Sequence, residues 1–185
     1  AQFIDLLKFS KYKKISIDVI KYNKKILTFL PITSNCDNLD NIIRLKKWRQ
    51  KNTKFFTSKN KITNSSTLKY FINYINSKEL RLLFYISVKN DLIGHCQLSN
   101  FDFDTNKCEI SYILRGNKLH KGIMSESIKS LSYFIKIFFK LKTIEIKTKN
   151  LTKSIKQIIN GRKSKIITLR YSHKTDNYSY QINYK

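Results

Sequence analysis

Two periods alternate along most of the chain. Lys25 to Ile32 carries the strand period and is broken near Pro31. From a cap at Asp37 or Asn38, the apolar residues Leu39, Ile42, Ile43 and Leu45 fall at helical spacing, predicting a helix to about Gln50. Ser65 or Ser66 caps a second helix carrying Leu68, Phe71, Ile72 and Ile75. The period then shortens to that of a meander: a strand from Arg81 to Val88, a turn at Lys89-Asn90-Asp91, a strand from Leu92 to Phe101, and a third from Cys108 to Leu114. Ser125 to Phe139 is amphipathic, with Ile128, Leu131, Ile135 and Phe138 on one face. Thr143 to Thr148 reads as a strand, Leu151 to Ile159 as a short helix stopped by Gly161, and residues 166–171 with 178–184 as a closing hairpin. This order predicts an α/β fold with a mixed central sheet flanked by helices.

Residues 1–22 follow neither period cleanly. Phe3, Ile4, Leu6 and Leu7 hint at a short helix and Ile15, Ile17 and Val19 at a strand. They are expected to form an N-terminal arm or the end of a preceding segment, with one domain over 23–185.

Composition narrows the function classes. With 41% hydrophobic and 13% aromatic residues, the chain can bury a core. Its most apolar stretch, Tyr133 to Phe139, is short and interrupted by Lys136, so no membrane-spanning helix is predicted. No secretory signal is visible, and Cys36, Cys96 and Cys108 lack metal-ligand spacing. A cytoplasmic protein with free, buried thiols and no metal is expected.

Lys and Arg number 37 against 12 Asp and Glu, a formal charge of +25. Such a balance invites a nucleic-acid partner. Yet 31 of the 37 are lysine, whereas base and phosphate recognition favours the planar arginine fork. Lys, Asn and Ile are together abundant, as AT-rich codons would supply. The charge therefore does not by itself select a polyanion.

The most informative stretch runs from Glu109 to Ser127, where a strand enters a loop holding Gly122 and a helix starts at once. Amides at a helix N-terminus converge on one point, and the helix dipole favours an anion there. Gly122 admits a close approach, and Lys118 and Lys121 add charge.

In this order the elements resemble the GNAT superfamily of acyl-CoA N-acyltransferases, especially its ribosomal-protein and sugar-nucleotide branches. Glu109-Ile110-Ser111-Tyr112 and Lys121-Gly122-Ile123-Met124-Ser125-Glu126 carry the likeness most directly. Ile26 to Thr33 is similar to the family's first strand, Lys47-Trp48-Arg49-Gln50 to its Trp-Arg-Asn segment, and Asp91 to His95 to the turn into its third strand. Asn150 and Gly161 keep a further spacing.

The resemblance implies direct acetyl transfer from acetyl-CoA to a primary amine, without a metal. The CoA pyrophosphate would rest on Leu119, His120, Lys121, Gly122, Ile123 and Met124, with Asn150 also at the cofactor. Glu109 would be the general base; a strand-end glutamate paired with a lysine is the alternative. His95 is a second candidate base, against a structural histidine. Trp48 and Arg49 would bind the acceptor, for which an amino sugar linked to a nucleotide is preferred. A protein N-terminus comes second, and a binding module that has lost catalysis third. Four positions depart from the family pattern: Leu119 and His120 in the loop, Gln157 where a catalytic Tyr is common, and Arg162 where a Phe is.

Overall fold

Hairpin turns show how local chemistry sets the sheet. Lys89 and Asn90 have φ of 49° and 65°, and Tyr22 and Asn23 have φ of 51° and 59°. Two consecutive residues with positive φ form the tight turn whose twist matches that of paired strands, and Asn tolerates that region better than most residues. The computed structural model describes residues 16–32, 39–53, 61–76, 80–114, 122–148, 167–172 and 177–183.

The described elements are β1 (Ile17–Lys21), β2 (Lys24–Pro31), α1 (Leu39–Lys51), α2 (Asn64–Asn76), β3 (Leu82–Val88), β4 (Asp91–Asp102), β5 (Lys107–Leu114), α3 (Ile123–Phe139), β6 (Thr143–Thr148), β7 (Ile167–Ser172) and β8 (Asn177–Asn183). The strands follow the order β1-β2-β3-β4-β5-β6-β8-β7 in one sheet. β1–β2, β2–β3, β6–β8 and β7–β8 pair antiparallel, whereas β5–β6 pair parallel. The mixed α/β architecture agrees with the hydrophobic pattern. The helix expected at 151–159 lies outside the described residues. So do the caps proposed at Asp37 and Asn38.

The described chain forms two compact units. The first holds β1 to β3, α1, α2 and β4 as far as Gln97. Its core joins Ile42, Leu45 and Trp48 of α1 to Phe71 and Tyr74 of α2 and to Ile32, Leu83 and Tyr85. The spacing of three in α1 and of three in α2 puts each set on one helix stripe. Gln50 Nε2 donates to the Ile62 carbonyl at 2.8 Å, tying the end of α1 to the approach to α2.

The cap of α2 is Thr63 rather than Ser65 or Ser66. Thr63 N–H donates to Ser66 Oγ at 2.9 Å, and Ser66 N–H donates to Thr63 Oγ1 at 3.0 Å. This reciprocal box satisfies two end-of-helix donors with the cap three residues upstream of its partner. Ser66 thus takes part, but from the third helical position.

The second unit holds the rest of β4, β5 as far as Ser111, α3 and β6 to β8. Ile128, Leu131, Phe134 and Ile135 line the buried stripe of α3, and Leu98, Cys108, Ile110, Leu141, Ile144 and Ile146 are buried in the same unit. The Asn106 carbonyl accepts from Lys142 N–H and Thr143 N–H at 3.0 and 2.9 Å, which sets the start of β6 beside the start of β5.

Asn90→Ala places a Cβ in a left-handed turn without the polar side chain that eases it, so stability falls by about 1 kcal/mol. Asn90→Gly is at least as stable as the parent. Urea denaturation of the two variants checks both outcomes.

Candidate active site

In the second unit, the start of α3 is built for an anion. Gly122 sits at the N-cap with φ +87°, and no side chain among the described residues caps the helix. A Cβ there would meet nothing within 4 Å among the described residues, and the positive φ by itself favours glycine. The first amide to bond back is Glu126 N–H, which donates to Gly122 C=O at 3.1 Å. The earlier amides of Ile123, Met124 and Ser125 have no carbonyl within the helix to serve. They point along the axis at the positive end of the helix dipole.

β5 and β6 pair Lys107 with Thr143, Cys108 with Ile144 and Glu109 with Glu145, and pairing stops there although both strands continue. Among the described residues, the main chain of Ile110 and Ser111 has no strand partner on that side. Extended amides of a ligand can therefore bond to it as a strand would. Glu109 stands at the last pair, half-buried, its side chain on the opposite face from the buried Cys108 and Ile110. Asn100 Nδ2 donates to Glu109 Oε2 at 2.8 Å. Asn100 itself has φ +52° inside β4, a kink that turns its amide towards the neighbouring strand. Burial, and then the charges of Glu109 and Glu145, push the Cys108 thiol up to about 12, so it is no nucleophile.

A polar cluster occupies the first unit. Arg49 on α1 lies over the ring of Tyr70 on α2, its Cζ 5.0 Å from the centroid. Tyr70 Oη donates to Gln97 Oε1. The His95 ring meets Tyr70 and Tyr85 edge-on, with centroids 6.3 and 6.4 Å apart. His95 is 3% exposed. Its Nε2 and the Nη1 of Arg49 are buried with no hydrogen-bond partner among the described residues. Each such orphan costs about 1–3 kcal/mol. Burial, followed by the charge of Arg49, pulls the imidazole down to about 3. The ring is neutral near pH 7 and a poor base, which argues against His95 as proton acceptor. Burial also pushes the Tyr70 phenol up to about 12, against the pull of Arg49 and Arg81.

Other expected site residues are distributed unevenly. Trp48 is 5% exposed and packs in the core, anchoring the turn of α1 that carries Arg49. Leu119, His120, Lys121 and Asn150 lie outside the described residues, as do Lys118, Gln157, Gly161 and Arg162. Asn100, Tyr70 and Gln97 were not singled out by the sequence. Only the turn-forming habit of Asn offered any signal for the first, and nothing local did for the others. Among the described residues, no group of His, Cys, Asp and Glu could hold a metal ion. No helix among them is long and apolar enough to cross a membrane.

The sequence profile of the acetyltransferase (GNAT) domain matches residues 35–161, more than half of the chain. The chain belongs to the GNAT acetyltransferase family. It is an N-acetyltransferase of that type, with acetyl-CoA as co-substrate. The GNAT fold recurs in similar solved structures. The ribosomal-protein N-acetyltransferase RimL with coenzyme A is 15% identical, with a TM-score of 0.63 over 85% of this chain and 94% of that one. The microcin self-immunity acetyltransferase MccE with acetyl-CoA and AMP is 18% identical, with a TM-score of 0.62 over 86% and 93%. The Campylobacter jejuni N-acetyltransferase PseH with acetyl coenzyme A is 15% identical, with a TM-score of 0.59 over 86% and 100%. No curated protein sequence matches the chain.

The buried imidazole of this GNAT protein gives it a pH signature. Unfolded, His95 takes up a proton near its usual 6.5, whereas the folded ring resists until about 3. The unfolded state therefore binds more protons in that window, and stability falls as pH drops from 6.5, by up to about 1.4 kcal/mol per unit. The lowered carboxyls of Asp18 and Asp102 act in the same direction but only at lower pH. His95→Gln flattens the loss between pH 6.5 and 5 in urea titrations, and equal slopes in the two proteins would contradict the assignment.

Proposed function

We propose that this N-acetyltransferase acetylates the primary amine of an amino sugar linked to a nucleotide, by direct transfer with Glu109 as general base. The observation that carries the chemical part is the carboxylate of Glu109, held by Asn100 at 2.8 Å where β5 and β6 cease to pair. On this reading the CoA pyrophosphate rests on the amides of residues 119 to 124, and Asn150 also lies at the cofactor. The pantetheine arm bonds along the free main chain of β5. A backbone N–H of that strand polarises the thioester carbonyl.

Glu109 takes the proton of the ammonium, directly or through a water, and the neutral nitrogen attacks the carbonyl carbon. The tetrahedral intermediate collapses, the C–S bond breaks, and CoA leaves as a thiolate that takes up the second nitrogen proton, directly or through water. A thiol of ordinary pKa, near 8.5, is a competent leaving group without an obligatory acid, which makes Gln157 compatible with activity. Asn100 acts through Glu109 as a positioning residue.

The acceptor is supported on three sides. The net charge of +25 suits an anionic substrate. Trp48 and Arg49 occupy the segment that the resemblance gives to the acceptor. MccE, similar in fold, was solved with acetyl-CoA and AMP together. A protein N-terminus is the second reading, favoured by the likeness to RimL, a protein N-acetyltransferase. The free thiols Cys96 and Cys108 fit a cytoplasmic setting.

Glu109→Gln keeps acetyl-CoA affinity and lowers kcat about 10²- to 10⁴-fold, the range for loss of a general base. Calorimetry with acetyl-CoA and a thiol-release assay with a UDP-linked amino sugar measure the two. Turnover equal to the parent's would remove Glu109 as the base, and acetylation of a Ser-initiated peptide alone would select the second reading.

A further inference from the structure

Arg49 brings a half-buried positive charge into the first unit, with no acidic partner among the described residues. Among the described residues, Asp18 pairs with Lys25 and Asp102 with Lys107, and neither pair involves Arg49. Its guanidinium is instead laid on the Tyr70 ring, a contact that uses the face of the ion and leaves its edge donors free. One of those donors, Nη1, is buried and unbonded. A partly desolvated guanidinium without a carboxylate is stabilised by an anion arriving from outside, and its fork matches a phosphoryl group.

His95 supplies the second, independent observation. Its ring is 3% exposed and held edge-on to both Tyr70 and Tyr85, and its Nε2 has no partner among the described residues. Tyr70 cannot satisfy it, because the phenol hydrogen is committed to Gln97 Oε1. Tyr70 touches both orphans, so they belong to one cluster drawn from α1, α2 and β4. A hydroxyl both donates and accepts, and fits Nε2 in either tautomer.

We propose that Arg49 and His95 form a recognition subsite of the acceptor, in which Arg49 binds a phosphoryl oxygen and Nε2 of His95 bonds a hydroxyl carried close to that phosphate. The proposal deepens the nucleotide-sugar reading and rests on it. It makes His95 a specificity residue rather than a base, and gives α1 and α2 a function beyond covering the core. A sugar phosphate presents both groups side by side. A peptide N-terminus presents neither a phosphate nor, in most sequences, a hydroxyl near an anion. The neutral imidazole favours this pairing, since a charged ring would repel Arg49.

The test is calorimetry with UDP-N-acetylglucosamine as probe, run beside acetyl-CoA on the full chain. Arg49→Met and His95→Phe each weaken the probe by at least about tenfold. His95→Gln, which restores an acceptor near the position of Nε2, stays within about threefold of the parent, and Arg49→Lys falls between. Acetyl-CoA affinity is the same in all four. On adding the probe, the Nε2 resonance of His95 shifts in nitrogen NMR, which a purely structural histidine would not do. The inference is overturned if the parent binds acetyl-CoA but not the probe, if Arg49→Met and His95→Phe bind it as tightly as the parent, or if a peptide with an acidic second residue displaces it. Loss of acetyl-CoA binding by the parent would instead overturn the transferase reading, while probe binding that depends on Arg49 and His95 would still support the subsite.

Discussion

Parallel pairing of β5 and β6 ends at Glu109 and Glu145, and the candidate chemistry follows from that interruption. A strand that continues without its neighbour leaves amide and carbonyl groups that must find partners, and water or a ligand's amides are what remain. The same point in the register leaves Glu109 half-buried beside the unpaired main chain. The start of β6 is pinned by two bonds to the Asn106 carbonyl, so its separation from β5 begins from a fixed end. The unpartnered edge is therefore built into the sheet.

A second constraint is the start of α3. Gly122 takes a backbone angle that other residues adopt at a cost of about 1–2 kcal/mol, and the helix then begins with amides that no helical carbonyl serves and, among the described residues, no side-chain cap. The start of α2 is satisfied instead, because Thr63 and Ser66 close its first turn reciprocally. The contrast between α2, capped by its own chain, and α3, left open, distinguishes a structural helix end from one suited to phosphate.

Where structure follows local rules, it was legible in the sequence. The helices α1, α2 and α3, the turn at Lys89 and Asn90, and the strand-Gly-helix stretch all depend on neighbours a few residues apart. The buried faces were read only in part: Leu68, Ile72 and Phe138, expected on them, are exposed, whereas Trp48, Tyr74 and Phe134 are buried. The hairpin at Tyr22 and Asn23 was less legible, because Tyr is an unusual residue for positive φ. The α2 cap was misplaced because Thr63, Ser65 and Ser66 all have cap chemistry and only the bonds select among them. Asn100 and the Arg49–Tyr70–His95 group were illegible for a different reason. Each depends on strands or helices brought together from separate parts of the chain, and no spacing in the sequence encodes that. His95 shows the consequence: an ordinary pKa near 6.5 suggested a base, and burial beside a cation removes that role.

The central claim is that acetyl-CoA is held by the open amides of α3 and the unpaired edge of β5. Backbone amide NMR with and without saturating acetyl-CoA tests it most directly. The amides of Gly122, Ile123, Met124 and Ser125, with those of Ile110 and Ser111, should show the largest shifts and the strongest slowing of hydrogen exchange. If acetyl-CoA binds while these six amides stay unchanged and others move instead, the account of the site is wrong.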